Sequence, residues 1–141
     1  MTEQIPVKKN DEIELTIADL SHEALGVGRY QGYTLFVKDA LPGEVIKAKV
    51  LKTKKNYGYA KRLALLQESP DRIPPTCPLY AKCGGCQLQH MRYSAQLQFK
   101  EKLVRANLER IGGLDLSHVQ VLPIIGMANP WRYRNKSQVP I

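Results

Sequence analysis

The sequence predicts a mainly β chain: a small five-stranded barrel, then a cysteine-rich metal loop, one α-helix and the first strands of a truncated α+β domain. Three observations carry this expectation. Five short runs within the first 67 residues read as strands, all three cysteines fall between Cys77 and Cys86, and one long helical repeat follows them. The chain has 141 residues, 43% of them hydrophobic and 24% charged, which is globular composition of a size for one ordinary domain or two very small ones.

Residues 12–18 (EIELTIA) set Ile13, Leu15 and Ile17 against Glu12, Glu14 and Thr16, the period of a half-buried strand. Second and third strands fit 25–30 (LGVGRY) and 33–37 (YTLFV). Gly26 and Gly28 indicate a bulge or a close backbone approach rather than a phosphate loop, since no helix follows them. Leu41-Pro42-Gly43-Glu44 is a turn, with Pro42 fixing φ and Gly43 tolerating a positive φ. EVIKAKVLKTKK is the fourth strand, with a lysine-rich face, and YGYAKRLALLQ the fifth, although Leu63, Leu65 and Leu66 also fit the start of a short helix. Closure into a barrel removes the edges that so short a sheet would expose.

ESPDRIPPT (68–76) carries three prolines and few apolar residues, the composition of a linker. The expected organisation is therefore a barrel at 1–67, a linker at 68–76 and a cysteine loop, helix and incomplete sheet at 77–141. In that last region Leu97, Leu103, Val104, Leu108 and Ile111 recur at helical spacing, with Ser94 as N-cap and Gly112 and Gly113 at the C-terminus. VQVLPII (119–125) and WRYRNKSQVPI (131–141) read as two strands of a sheet lacking further partners.

The formal net charge of +8 is unevenly placed. Residues 1–20 are net acidic, whereas 38–62 carry Lys38, Lys47, Lys49, Lys52, Lys54, Lys55, Lys61 and Arg62 against Asp39 and Glu44. Such a field attracts polyanions. Lysine-rich hairpins also protect strand edges, and strand tyrosines also serve as core. Tyr57 and Tyr59 among the lysines favour nucleic acid, because aromatic faces stack on bases while ammonium groups hold phosphates. The candidate RNA contacts are Lys47, Lys49, Lys52, Lys54, Lys55, Tyr57, Lys61 and Arg62, with Arg132, Arg134 and Lys136 as a further cluster.

Cys83-Gly84-Gly85-Cys86 is a chelating pair, and Cys77 adds a third sulfur. Two metal centres fit this spacing. His90 completes a zinc site of three cysteines and one histidine, or a fourth cysteine from elsewhere completes an all-cysteine iron-sulfur cluster. The odd, clustered thiols make a poor disulfide framework and point to a reducing compartment, the cytosol. No run approaches eighteen apolar residues, and no signal peptide, G-x-G-x-x-G, Walker loop or H-x-x-x-H pair is present. A membrane partner and a complete active site are therefore not expected, nor is an obligate protein partner.

CPLYAKCGGCQLQHMRYSAQLQFK resembles the iron-sulfur segment of the S-adenosylmethionine-dependent RNA (uracil-5-)methyltransferases. GVGR, YTLFVKDALPGEVIKAKV and KRLALLQESPDRIPPTC resemble that family's N-terminal TRAM domain, an OB-like RNA-binding barrel, and WRYRNKSQVP resembles the opening strands of its central domain. The resemblance implies a 4Fe-4S cluster on Cys77, Cys83 and Cys86 with its fourth cysteine beyond Ile141, and His90 beside it rather than on it. It also implies ribosomal RNA, specifically 23S, as partner in preference to transfer RNA. S-adenosylmethionine and the catalytic cysteine would belong to a C-terminal domain, leaving no catalytic or S-adenosylmethionine-binding residue in this chain. The other class consistent with the residues is a non-enzymatic RNA-binding TRAM module with zinc at Cys77, Cys83, Cys86 and His90.

Overall fold

A computed structural model describes residues 4–138. The chain divides into two compact units between Pro74 and Pro75. In the first, β1 (Glu12–Leu20), β2 (Gly26–Tyr30), β3 (Tyr33–Val37), β4 (Val45–Thr53) and β5 (Tyr57–Gln67) form a closed barrel in the order β1-β2-β3-β5-β4. β1 closes it by pairing with two neighbours. Glu12–Thr16 lie against β4 and Ile17–Leu20 against β2, with a bulge between Ile17 and Asp19. All pairings are antiparallel except β3 with β5.

Alternation fills the interior with Leu15, Ile17, Leu35, Val37, Ile46, Ala48, Val50 and Ala60. The glycines of β2 are there for space. A Cβ on Gly28 would lie 2.6 Å from Leu15 Cγ and one on Gly26 2.8 Å from the Ala40 Cβ, so β2 approaches its neighbours too closely for any side chain. The alternative helix at Leu63, Leu65 and Leu66 is absent. β5 runs through them as strand, because pairing with β4 continues to Gln67.

Pro42 and Gly43 form the expected turn, with Gly43 at φ 87°. Glu44, the last residue of that turn, immediately precedes β4 and is fully buried. Its carboxylate accepts from Arg72 Nε at 2.5 Å and Arg72 Nη2 at 2.9 Å, and from the Leu41 N–H at 2.9 Å. Arg72 also reaches Asp39 Oδ1 at 3.1 Å, while Arg62 takes Asp39 Oδ2 at 2.6 Å. Residues after β5 are thus tied back onto the β3–β4 connection. Burial pushes the Glu44 carboxyl up, but Arg72 and the Leu41 and Ser69 amides outweigh it and hold the group below the usual carboxylate range.

In the second unit, α1 (Tyr80–Cys83) is a single turn within the cysteine loop that the sequence did not reveal. α2 (Tyr93–Arg110) is the expected helix, but Ser94 is not its N-cap. The N-cap position is Arg92, and no side chain caps it. Gly113, at φ 65°, ends the following turn, where the Leu114 N–H bonds Leu108 O at 3.0 Å. Only Ala95 of α2 is buried, and the expected core positions Val104 and Ile111 are exposed.

The two expected late strands do not form. Residues 119–125 and 131–138 contain no strand, and 139–141 lie outside the described residues. Instead of a ladder, a few backbone groups of this segment bond to side chains of α2. Arg105 donates to Val121 O at 2.9 Å, the Met127 N–H donates to the Tyr93 hydroxyl at 2.9 Å, and Pro123 has no amide to offer. No described helix is long and apolar enough to cross a membrane.

Replacing Arg72 by Met should leave Glu44 buried without its cation and destabilise the barrel by about 3 kcal/mol, read as a lower midpoint in urea unfolding. Because the Glu44 pKa is depressed in the fold, its stabilisation is complete above the unfolded carboxyl value and is lost as pH falls through the folded value. Midpoints measured down into the acid range should therefore drop for the wild type and drop less for Glu44→Gln.

Candidate nucleic-acid interface

Outward positions of the barrel follow from the same alternation that fills its core. On β3, Thr34 and Phe36 point away from the interior, and on β5 so do Tyr57, Tyr59 and Lys61. The parallel register sets Thr34 beside Tyr57 and Phe36 beside Tyr59. Three rings therefore meet on one outer face: Phe36 and Tyr57 at 5.7 Å and 77°, Tyr57 and Tyr59 at 5.9 Å and 82°, Phe36 and Tyr59 at 5.9 Å and 39°.

Lysines border this cluster on the β4 side. Lys52 pairs across the ladder with Tyr59, and Lys49 with Lys61. Lys54 Nζ stands 5.4 Å from the centre of the Tyr57 ring and 3.4 Å from its hydroxyl, a cation–π contact at the start of the β4–β5 turn. On the other side, Arg29 of β2 pairs with Thr34.

The turn itself is held from inside. Tyr33, almost wholly buried, puts its hydroxyl 2.8 Å from Lys54 O and against Tyr57 O, and accepts from the Lys54 N–H at 3.1 Å. Gly58 allows this approach, since a Cβ there would stand 2.6 Å from Lys52 O and 3.1 Å from the Tyr33 hydroxyl. Tyr33 thus fixes where Lys54 and Tyr57 present their side chains.

The sequence-derived basic residues fall into three groups. Lys49, Lys52, Lys54, Lys55 and Lys61 share the β4–β5 hairpin with Tyr57, and no acid pairs with Lys52, Lys54, Lys55 or Lys61 among the described residues. Lys47 is 3.6 Å from Glu12, and Arg62 is engaged by Asp39, so these two meet internal carboxylates. Arg132, Arg134 and Lys136 are exposed in the other unit, with Arg134 5.7 Å over the Tyr133 ring. Phe36 and Tyr33 were missed as functional residues. An outward phenylalanine in YTLFV was visible from the alternation, but its meeting with Tyr59 depends on a long-range parallel pairing that no local pattern encodes.

The metal expectation is overturned. Among the described residues no group of three or more His, Cys, Asp or Glu side chains could hold a metal ion, so neither a 4Fe-4S cluster on Cys77, Cys83 and Cys86 nor a zinc site completed by His90 fits. Local structure gives the reason. Cys83 closes the α1 turn ahead of Gly84 at φ 71°, the Cys77 amide is anchored on Gln89 Oε1 at 3.1 Å, and His90 is buried with Nδ1 2.5 Å from the Tyr80 hydroxyl. The three thiols are free, and Cys86 is exposed.

A closed five-stranded barrel in this order, with a basic and aromatic outer face, defines a small OB-type module. More particularly, residues 6–63 match the TRAM domain. Over its whole length the chain is similar to bacterial proteins described as uncharacterized RNA methyltransferases. It is 55% identical to one from Halalkalibacterium halodurans over 99% of this chain and 30% of the relative. It is 46% identical to one from Clostridium acetobutylicum over 100% of this chain and 31% of the relative. The chain thus spans about 30% of the length of these relatives. Among solved structures, the Pyrococcus abyssi tRNA (uracil-54, C5)-methyltransferase in complex with S-adenosyl-L-homocysteine is 31% identical, with a TM-score of 0.45 over 77% of this chain and 23% of that one.

Tyr33→Phe should remove the hydroxyl that ties the β4–β5 turn and cost about 1 kcal/mol or somewhat more, leaving turn carbonyls under-satisfied. Thermal unfolding followed by circular dichroism reads the loss, and amide exchange at Lys54 should accelerate before exchange in β1.

Proposed function

We propose that this chain is the RNA-holding portion of an RNA (uracil-5-)methyltransferase, whose whole protein methylates C5 of a uridine in ribosomal RNA, 23S in preference to transfer RNA. The observation that carries the RNA part is the β4–β5 hairpin, where Lys52 lies beside Tyr59 and Lys54 stands over Tyr57, with Lys55 and Lys61 in the same hairpin and Phe36 of β3 against both rings. Cations beside clustered aromatic rings suit a polyanion whose bases are available. The enzymatic part is supported by the description of the relatives as RNA methyltransferases.

In the proposed reaction a cysteine thiolate adds to C6 of uracil, the resulting nucleophilic C5 takes the methyl group from S-adenosylmethionine, and a base removes the C5 proton to release the enzyme. A base within folded RNA has to leave its stack for this to happen. The nucleophile and the donor site are assigned to the part of the protein outside this chain. These residues contribute grip and placement of the RNA.

Two measurements test the reading. Lys52→Ala, Lys54→Ala and Lys55→Ala combined should weaken binding of a single-stranded oligoribonucleotide and reduce the slope of log affinity against log salt by about 2, since each phosphate contact on a single strand contributes about 0.7. Unchanged affinity in a gel-shift titration would reject these lysines as phosphate contacts. Disruption of the whole gene should remove a 5-methyluridine from 23S RNA; retention of every 5-methyluridine in ribosomal and transfer RNA would reject the enzymatic reading.

A further inference from the structure

The cysteine loop carries two neighbouring thiols that the RNA-binding reading does not use. Cys83 ends α1, and Gly84 and Gly85 lead from it to Cys86. Gly84, at φ 71°, takes the left-handed conformation that turns the backbone at the end of the helix. The Gln87 side-chain amide then donates to Gly84 O at 3.3 Å, which folds residues 84–87 into a bend. Cys83 Sγ is turned along this bend. It lies 3.4 Å from the point where a Cβ on Gly85 would stand, against the residue that precedes Cys86, and glycine leaves the sulfur uncovered on that side.

The three thiols of the loop are free but not equivalent: Cys86 is exposed, while Cys83 and Cys77 are half-buried. Cys77 stands at the opposite end of α1, where its amide is held by Gln89 Oε1 at 3.1 Å and its carbonyl accepts from the Tyr80 N–H at 3.1 Å. A disulfide needs Cα atoms within about 7 Å and side chains turned toward one another. Only two glycines separate Cys83 from Cys86, and they give the backbone that freedom, whereas a bridge from Cys77 would have to span or unwind α1. Disulfides formed by an exposed thiol are the labile, redox-responsive kind.

We propose that Cys83 and Cys86 form a reversible disulfide by exchange with a small-molecule disulfide, which makes the loop after α1 a redox-responsive site. The Cys86 thiolate attacks one sulfur of glutathione disulfide, a mixed disulfide forms, and the first glutathione leaves as a thiolate that takes up the proton Cys86 released. The Cys83 thiolate then attacks the Cys86 sulfur and expels the second glutathione in the same way. Two protein thiols are oxidised and one glutathione disulfide is reduced to two glutathione thiols, so electrons and protons balance. Excess glutathione runs the exchange backwards. No ring or lysine of the barrel takes part, and the inference stands apart from the RNA-binding reading.

The test is a peptide map of the chain equilibrated in degassed glutathione buffers, from fully reduced to mostly oxidised, then denatured and blocked with N-ethylmaleimide. Trypsin cleavage after Arg72, Lys82 and Arg92 puts Cys77 in one peptide and both Cys83 and Cys86 in the next. As glutathione disulfide rises, peptide 83–92 should lose both blocked sites and become lighter than its unblocked reduced form by two hydrogens, while Cys77 stays blocked. Dithiothreitol should restore both sites. Peptide 73–82 linked to 83–92, a glutathione adduct on Cys86 in place of the internal bond, or three blocked cysteines at every ratio would each overturn the proposal. Cys83→Ser should stop the reaction at the glutathione adduct on Cys86, and Cys77→Ser should leave the internal bond in place. The wild-type map needs no variant and decides the matter even where a variant fails to fold. In the reduced native chain Cys86 should react with iodoacetamide severalfold faster than Cys83; the reverse order would overturn Cys86 as the point of entry.

Discussion

The parallel pairing of β3 with β5 is the constraint on which the barrel and its surface both depend. Antiparallel hairpins alone would leave β3 as an open edge, with unpaired backbone groups along Tyr33–Val37. Parallel neighbours need a crossover, and β4 supplies it by running back along β1 before β5 returns. The register that results, Thr34 with Tyr57 through Val37 with Ala60, does two things at once. Inward, it stacks Leu35 and Val37 against Ala60 in the core. Outward, it assembles three rings from strands more than twenty residues apart.

The crossover begins at a turn that has to be fixed, since a shift of one residue would turn Ile46, Ala48 and Val50 outward and the lysines inward. Pro42 and Gly43 shape this turn, but Glu44 and Arg72 lock it. Glu44 places a buried carboxylate against the Leu41 amide, and its own carbonyl accepts from the Ile17 N–H at 2.8 Å, joining the turn to the bulge of β1. Arg72 spans Glu44 and Asp39 from beyond β5. A buried ion pair of this kind contributes less net stability than its geometry suggests, because both groups lose water; its greater effect is that no other placement of the turn satisfies it.

How far the sequence could be read depended on whether local spacing or distant pairing decided the outcome. β3 was legible to the residue because its alternation is strict and bounded by turns, whereas in β5 the alternation lapses after Lys61, where Leu63, Leu65 and Leu66 also fitted a helix. The basic hairpin was legible because charge is a property of composition. Glu44 and Arg72 were not, since an acidic residue in a turn and an arginine among prolines carry no sign that they will meet. In the second unit, spacing correctly gave a helix over most of α2 but could not say what would cover it, and Val104 and Ile111 remain exposed. VQVLPII has strand composition without a strand partner; its Val121 carbonyl goes to Arg105 and its Ile124 amide to Glu101. The cysteines show the same limit. Spacing permits chelation, but Gly84, Gln89 and Tyr80 set the backbone and imidazole so that the candidate ligands do not form a centre.

Charge on the barrel is likewise decided by partners rather than by count. Lys47 and Arg62 lie within the same basic segment as Lys52 and Lys54, yet Glu12 and Asp39 meet the first two across the barrel surface. The field projected to solvent is therefore concentrated at the β4–β5 turn and weakened toward the Arg62 end of β5. An exposed pair such as Lys47 with Glu12 is screened and contributes little stability, so its effect here is to shape the potential. Aromatic side chains sit beside these cations, Tyr59 across from Lys52 and Tyr57 under Lys54. Under the RNA-binding reading proposed above, a polyanion drawn to this surface meets Phe36, Tyr57 and Tyr59, so electrostatic capture is coupled to contact with the face where these three rings meet.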